Sequence, residues 1–488
     1  MSKFALDLMN CFKKARVFLF SLLLVVLYTS CEKTEEQNSI GLFEKLSVER
    51  SGIEFSNNIT ENDSINYFSY LYLYMGGGVA IGDFNKDGLQ DIYLTGNMVE
   101  NKLYLNKGNL QFEDITHTAG VAADNRWVTG VTLGDANQDG WLDIYVSVSG
   151  KWVTRKNLLY INDAKVGAIP TFTESAEDYG LADTGNTTQA VFFDYDLDGD
   201  QDLYVANYPM TAPGQNMEKY LNYTNMGTPY DQSDRLYRND GNGKFTDATQ
   251  EANLVKYGLS LGISVGDFNQ DGWPDLYVCN DFVTPDYFLI NNKDGTFSDE
   301  NLKLTNHTSY FSMGSDVADF NNDGLLDLLQ VDMLPKSNSR IKENMATMDM
   351  DRFYDIVRNG LHHQYSTNTL QLNMGNDKDG LPRFGDVARM SGLSSTDWSW
   401  AALFADFDND GYKDVYVTNG VRRDINNQDF FKVPKEEMDK LNDLQLTKKL
   451  PFEKIKNFAF KNNADYTFSD FGEQWGIDFE GFSNGVAY

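Results

Sequence analysis

Apolar residues along this chain fall in short β-branched and aromatic runs, and one arrangement of those runs with an acidic loop recurs six times. The segments are DFNKDGLQDIYL from Asp83, DANQDGWLDIYV from Asp135, DYDLDGDQDLYV from Asp194, DFNQDGWPDLYV from Asp267, DFNNDGLLDLLQ from Asp319 and DFDNDGYKDVYV from Asp406. Each is preceded by a small and apolar run such as GVAIG at 78–82, and followed by an LYxN run and then by Phe-x-Asp, as in LYLNKGNLQFEDIT at 103–116. The later copies include LYRNDGNGKFTDAT at 236–249 and FAFKNNADYTFSDF at 458–471. Each unit therefore reads as four short strands. Asn, Asp and Gly stand at the turn between the third and fourth, where the backbone needs positive φ.

A four-stranded antiparallel unit repeated at this length predicts an all-β fold, a β-propeller whose blades are the repeats. The two ends carry pieces of the same pattern. FEKLSVERSGIEF at 43–55 is similar to a fourth strand and its exit, and GFSNGVAY at 481–488 is similar to the approach to an acidic loop. This predicts a seventh blade shared between the ends, closing the ring and incomplete in this chain, with six or eight blades as the alternatives.

The loop itself is Asp-x-[Asp/Asn]-x-Asp-Gly-x-x-Asp. Side-chain oxygens at positions 1, 3, 5 and 9, with a carbonyl at 7, are what a hard cation such as Ca²⁺ takes. The first three sets are Asp83, Asn85, Asp87 and Asp91 with Leu89; Asp135, Asn137, Asp139 and Asp143 with Trp141; and Asp194, Asp196, Asp198 and Asp202 with Asp200. The last three are Asp267, Asn269, Asp271 and Asp275 with Trp273; Asp319, Asn321, Asp323 and Asp327 with Leu325; and Asp406, Asp408, Asp410 and Asp414 with Tyr412. Glycine at position 6 lets the chain turn back on the ion. Mg²⁺ resists dehydration and Zn²⁺ would want thiolate or imidazole, so Ca²⁺ fits best. The loop is not an EF-hand, because no Glu stands at position 12 and a strand follows.

Charge and cysteine use refine the picture. The formal net charge is −31, which excludes a nucleic-acid partner, whose phosphates would be repelled. Six bound Ca²⁺ would bring it to about −19. The three cysteines, Cys11, Cys31 and Cys279, make no disulfide framework. Cys279 ends an apolar run and reads as a small buried residue. At the N-terminus a basic stretch and the apolar Val17–Leu27 precede small residues and Cys31, followed by the polar EKTEEQNS. This resembles a bacterial lipoprotein signal: residues 1–30 would be removed, Cys31 lipidated, and 31–42 would form an acidic tether. Such a chain is exported and held at the outer membrane or cell surface by lipid alone.

On the loops and strands just quoted, the chain resembles the FG-GAP/VCBS repeats of the integrin α-subunit propeller and of bacterial proteins related to the cartilage acidic protein and UnbV families. The resemblance runs over 43–488. It implies a propeller with calcium between the first and second strands, and no enzymatic activity.

Topology then separates two faces. The acidic loops share one end of the blades. Insertions at 207–234, 333–368 and 422–456 fall on the other, with helices expected at 342–358 and 435–449. That opposite face also carries Arg126, Trp127, Asn186, Asp397, Trp398 and Trp400, and the aromatic run Tyr67–Tyr74, a set suited to a glycan or protein ligand. The alternative is that these rings only pack the face. Catalytic motifs are scarce: no His-Glu-x-x-His and no G-x-S-x-G occurs. A lyase or hydrolase on this scaffold would have to draw its base from Arg126, His362 or His363, and a third possibility is that the chain is the scaffold part of a longer protein. The sequence thus points to a calcium-stabilised surface binding or adhesion module.

Overall fold

A computed structural model describes residues 41–209, 217–344, 350–432 and 438–488. The expected signal segment, Cys31 and most of the expected tether lie outside the described residues. The compact unit is Phe43–Tyr488.

It contains six four-stranded antiparallel sheets, each with its strands in chain order. Blade 1 comprises Val79–Gly82, Asp91–Leu94, Lys102–Asn106 and Phe112–Asp114. The inner strands of blades 2 to 6 are Trp127–Gly134, Thr187–Phe193, Ser260–Gly266, Gly314–Ala318 and Ser399–Ala405. Second strands begin in every case at the ninth loop position, from Asp91 to Asp414. Aromatic and branched residues from neighbouring blades interdigitate between the sheets, as where Phe268 meets Phe288 and Phe384 edge-on. At the axis the inner strands approach so closely that a Cβ on Gly314 would lie 2.4 Å from the carbonyl oxygen of Trp400. Glycine there is a packing requirement.

The expected seventh blade is corrected to six. Val48–Ser51 repeats the one-turn helix that follows other outer strands, and its capping Gly52 abuts the Phe112 carbonyl as Gly180 abuts that of Phe245. At the other end, Ser483 N–H donates to Asn419 O (2.9 Å), and Asn484 reaches Tyr74 O (3.2 Å). Both ends therefore lie between blades 6 and 1, but they supply only an exit turn and an inner segment. Glu480–Gly481 pairs with Ile455–Lys456 of the last insertion rather than building a sheet of its own.

The insertions are partly helical, as expected, with different bounds. Helices span Met217–Met226, Asn338–Glu343, Met350–Arg358 and Asp443–Lys449. The last starts at a capping box formed by Asn442 and Gln445, within the expected 435–449. The five residues preceding 438 lie outside the described residues.

Candidate metal centres and the opposite face

All six acidic loops adopt one conformation. Gly at position 6 has φ between 84° and 97°. Position 4 is also left-handed although none of its residues is glycine: Lys86, Gln138, Leu197, Gln270, Asn322 and Asn409 have φ of 54° to 60°. Such a conformation costs about 1 kcal/mol per residue or more, so the loop must be held by its other bonds. They are visible. Position 1 accepts the N–H groups of positions 5 and 6, as Asp83 does from Asp87 (3.1 Å) and Gly88 (2.8 Å). Position 5 accepts the N–H of position 7, as Asp87 does from Leu89 (2.9 Å).

The ninth-position aspartate ties the loop to its blade. One oxygen of Asp143 accepts Ala136 N–H (2.9 Å), and the other accepts Asn162 N–H from the third strand (2.8 Å). The same pair recurs at Asp91, Asp202, Asp275, Asp327 and Asp414. All six are fully buried. Burial, with the neighbouring loop carboxylates adding to it, pushes their carboxyl groups up, to about 6 in Asp91 and about 8 in Asp202, against the partial relief of the two N–H donors. A divalent cation is the group that would cancel this penalty.

The donor set fits such a cation. In loop 3 the carboxylates of Asp194, Asp196 and Asp198 lie within 4.8 Å of one another, and in loop 6 those of Asp406, Asp408 and Asp414 do so. In the other four loops an asparagine takes position 3. One oxygen each of Asp196, Asp200 and Asp408 is buried with no hydrogen-bond partner, so oxygens with unused lone pairs stand where a hard cation would take them.

Two recurrent devices escaped sequence reading. The asparagine ending the third strand sends its amide into the preceding blade: Asn162 to Phe84 O (3.0 Å), Asn239 to Ala136 O, Asn291 to Tyr195 O, Asn373 to Phe268 O and Asn462 to Phe320 O. The loops of blades 1 to 5 are thereby each stitched to the next blade. A second set, Asn101, Asn157, Asp234, Asp286, Asn368 and Asn457, accepts the N–H at the end of the second strand. The first could have been found from the invariant Asn of LYxN. The second alternates Asn with Asp at irregular spacing and leaves no motif.

At the other end the run Tyr67–Met75 crosses the face and packs against Trp127, Tyr208, Val283, Phe311, Met333, Trp398 and Val421, which come from blades 2 to 6. Tyr72 packs against Tyr208 with tilted rings, their centroids 4.1 Å apart, and hydrogen-bonds buried Asp281. Tyr70 meets Trp127 and Trp152 edge-on. Tyr74 donates to Glu61, which is paired with Arg423 at 3.0 Å, and Arg422 donates to Ile59 O. The last insertion thus clamps the N-terminal segment across the face. Beside it lies a cavity of about 300 Å³, lined by Tyr67, Tyr72, Asp281, Phe311, Trp398 and Trp400 among others. Burial pushes the Asp281 carboxyl to about 7.

The face residues singled out from sequence are dispersed. Trp398 and Trp400 line the cavity, and the buried indole N–H of Trp398 has no partner among the described residues. Trp127 is buried against Tyr70. Asp397 is held by both ends of the Arg340 guanidinium (2.7 and 2.9 Å). Asn186 is buried, and its carbonyl accepts Tyr208 N–H. Arg126 turns into a separate cleft with Tyr160 and Glu174. His362 is buried against the Thr305 hydroxyl (2.8 Å), and its pKa is lowered to about 4 by burial. His363 packs on Phe353. Arg126, His362 and His363 are therefore not gathered at one point.

These features define a six-bladed β-propeller with an acidic loop in every blade. The chain carries FG-GAP-like repeats: that family model matches residues 83–146, 225–278 and 267–329. Cartilage acidic protein 1 of Mus musculus is 25% identical over 248 residues, covering 50% of this chain and 35% of that protein. Integrin alpha-8 of Gallus gallus is 27% identical over 176 residues, covering 33% of this chain and 16% of that one. The chain thus matches about a third or less of the length of these relatives. Among solved structures, one of an Agrocybe aegerita lectin, described as recognising non-reducing terminal N-acetylglucosamine, aligns with TM-score 0.40 and 15% identity, over 82% of this chain and 83% of the other. No helix among the described residues is long and apolar enough to cross a membrane.

Proposed function

We propose that this protein is a calcium-stabilised binding module, exported and tethered through Cys31, that takes a glycan or protein ligand on the face opposite the acidic loops. The observation that carries the reading is the division of labour between the two ends. Every loop end is occupied by carboxylates whose burial calls for a cation, whereas the opposite end offers an aromatic cavity with a few directed polar groups. Calcium holds the blades, and the rigid ring presents the cavity. Trp400 is half-buried, with its indole N–H fixed on Gly420 O (2.8 Å), so one ring face can stack on a sugar or an apolar side chain. The buried indole N–H of Trp398 offers a hydrogen bond to a ligand oxygen. The relatives are an integrin α-subunit and cartilage acidic proteins, which favours binding over catalysis.

The test is ligand capture on a glycan array and a peptide-display library, comparing the wild type with Trp400→Ala. Binding that is lost in the variant while its thermal midpoint is retained supports the reading. Ligands bound equally by both proteins would move the site elsewhere.

A further inference from the structure

The six loops share a backbone but not an electrostatic state, and the difference resides in what donates to the position-5 carboxylate. In loops 1, 2, 4 and 5 the position-3 asparagine amide does so: Asn85 to Asp87 (3.0 Å), Asn137 to Asp139 (2.8 Å), Asn269 to Asp271 (2.8 Å) and Asn321 to Asp323 (2.9 Å). Loops 3 and 6 have aspartate at position 3, Asp196 and Asp408, and therefore one more negative charge and one donor fewer. These are also the two blades with a basic residue before the third-strand asparagine, Arg238 and Lys461. The other four carry Leu105, Ile161, Ile290 and Leu372 there.

The two basic residues behave differently. Lys461 places its ammonium between Asp408 and Asp410 of loop 6, 2.7 Å from the latter, with only 26% of its side chain exposed. Arg238 instead pairs with Asp240 (2.9 Å) and Glu251 (3.4 Å). Loop 3 keeps an unpartnered oxygen on both Asp196 and Asp200, the latter a further carboxylate that is 8% exposed. Lys293 touches Asp271 of loop 4 at 3.1 Å, but it reaches one carboxylate only and is 45% exposed.

We propose that Lys461 is a built-in counter-ion for the blade 6 loop, making it the last of the six to take a divalent cation, whereas loop 3, rich in carboxylates and free of such a cation, is the first. The inference rests on the calcium reading of the loops. Its physical basis is direct competition. A divalent ion held by Asp408 and Asp410 shares these carboxylates with Lys461, which leaves one oxygen of Asp408 without a partner, and it must either displace the ammonium or sit against it at a few ångströms, where like charges repel strongly in a partly desolvated site. Blade 6 is then held by an internal ion pair when calcium is scarce, and the loop at one edge of the ring becomes the one that responds to its concentration.

The test is equilibrium dialysis of the full chain against buffered free calcium, with bound metal read by atomic emission. Wild type is compared with Lys461→Met and Arg238→Met. The expected result is that the last binding step of the wild type tightens about tenfold or more in Lys461→Met and not in Arg238→Met. If Lys461→Met does not fold, two further variants carry the test, at position 5, which is aspartate in all six loops: Asp410→Ala should lose only the last step, and Asp198→Ala an early one. Identical isotherms for wild type and Lys461→Met, or an early step lost in Asp410→Ala, overturn the proposal and leave the calcium reading intact. No bound calcium in any of these proteins overturns both.

Discussion

The side-chain amide of Asn373, in the third strand of blade 5, donates to the carbonyl of Phe268 in the blade 4 loop at 3.0 Å, and also to Leu326 O in its own blade at 3.2 Å. One buried side chain thus fixes a loop and joins two blades. Removing it leaves two carbonyls unsatisfied, at about 1–3 kcal/mol each. Asn373→Ala should lose about 2–4 kcal/mol in denaturant unfolding. Asn106→Ala, whose amide reaches only Gln90 O, should lose about 1 kcal/mol. Equal losses would show that the link between blades contributes nothing.

Stability should depend on pH through Asp281. Burial raises its folded-state pKa to about 7, well above the ordinary carboxylate value of 3.8, and the Tyr72 hydroxyl relieves this only in part. A raised pKa means that the folded state binds the proton more tightly. The contribution is full below about pH 4 and is lost as pH climbs through 7, at roughly 1 kcal/mol per pH unit. Asp281→Asn should reduce the slope of the profile between about pH 4 and 7. An unchanged slope in the variant would assign the dependence to other groups.

The Glu61–Arg423 pair clamps the N-terminal segment to the last insertion. Glu61 is nearly buried, so Arg423→Ala leaves its charge without a partner and also frees the Tyr74 hydroxyl contact from its support. Proteolysis within residues 57–75 should become several-fold faster while the blades stay protected. Cleavage at the wild-type rate would mean that ring packing alone holds the segment.

Gly314 should tolerate no side chain. The Cβ of Gly314→Ala would meet the Trp400 carbonyl, which belongs to the backbone of the next inner strand and cannot swing aside. A loss of about 1–3 kcal/mol is expected in denaturant unfolding. A neutral substitution would mean that the inner strands are not packed as described.

The repeat unit, the four-strand blade and the loop chemistry were legible because their signals are short, side-chain encoded and written in register. Asp83 to Asp91 carries its ligand pattern in nine residues. The blade number was not legible. The end segments do carry blade-like sequence, and Gly52 and Ser483 take blade-like positions, yet two strands have no counterpart and Glu480–Gly481 finds another partner. The face was half legible. The alternation of Tyr70, Tyr72 and Tyr74 read equally as a ligand platform or as packing; all three are buried, and Tyr72 and Tyr74 also wall the cavity beside Trp398 and Trp400. The role of Lys461 was hidden because its partners precede it by some fifty residues and meet it only through strand pairing.

Thermal unfolding of the full chain in millimolar calcium and again in excess chelator bears most directly on the central claim. If cations bound by the loops hold the blades, the midpoint should fall by about 10 °C or more on chelation and recover when calcium is restored. Equal midpoints in the two buffers, with no calcium retained by the protein, would contradict it.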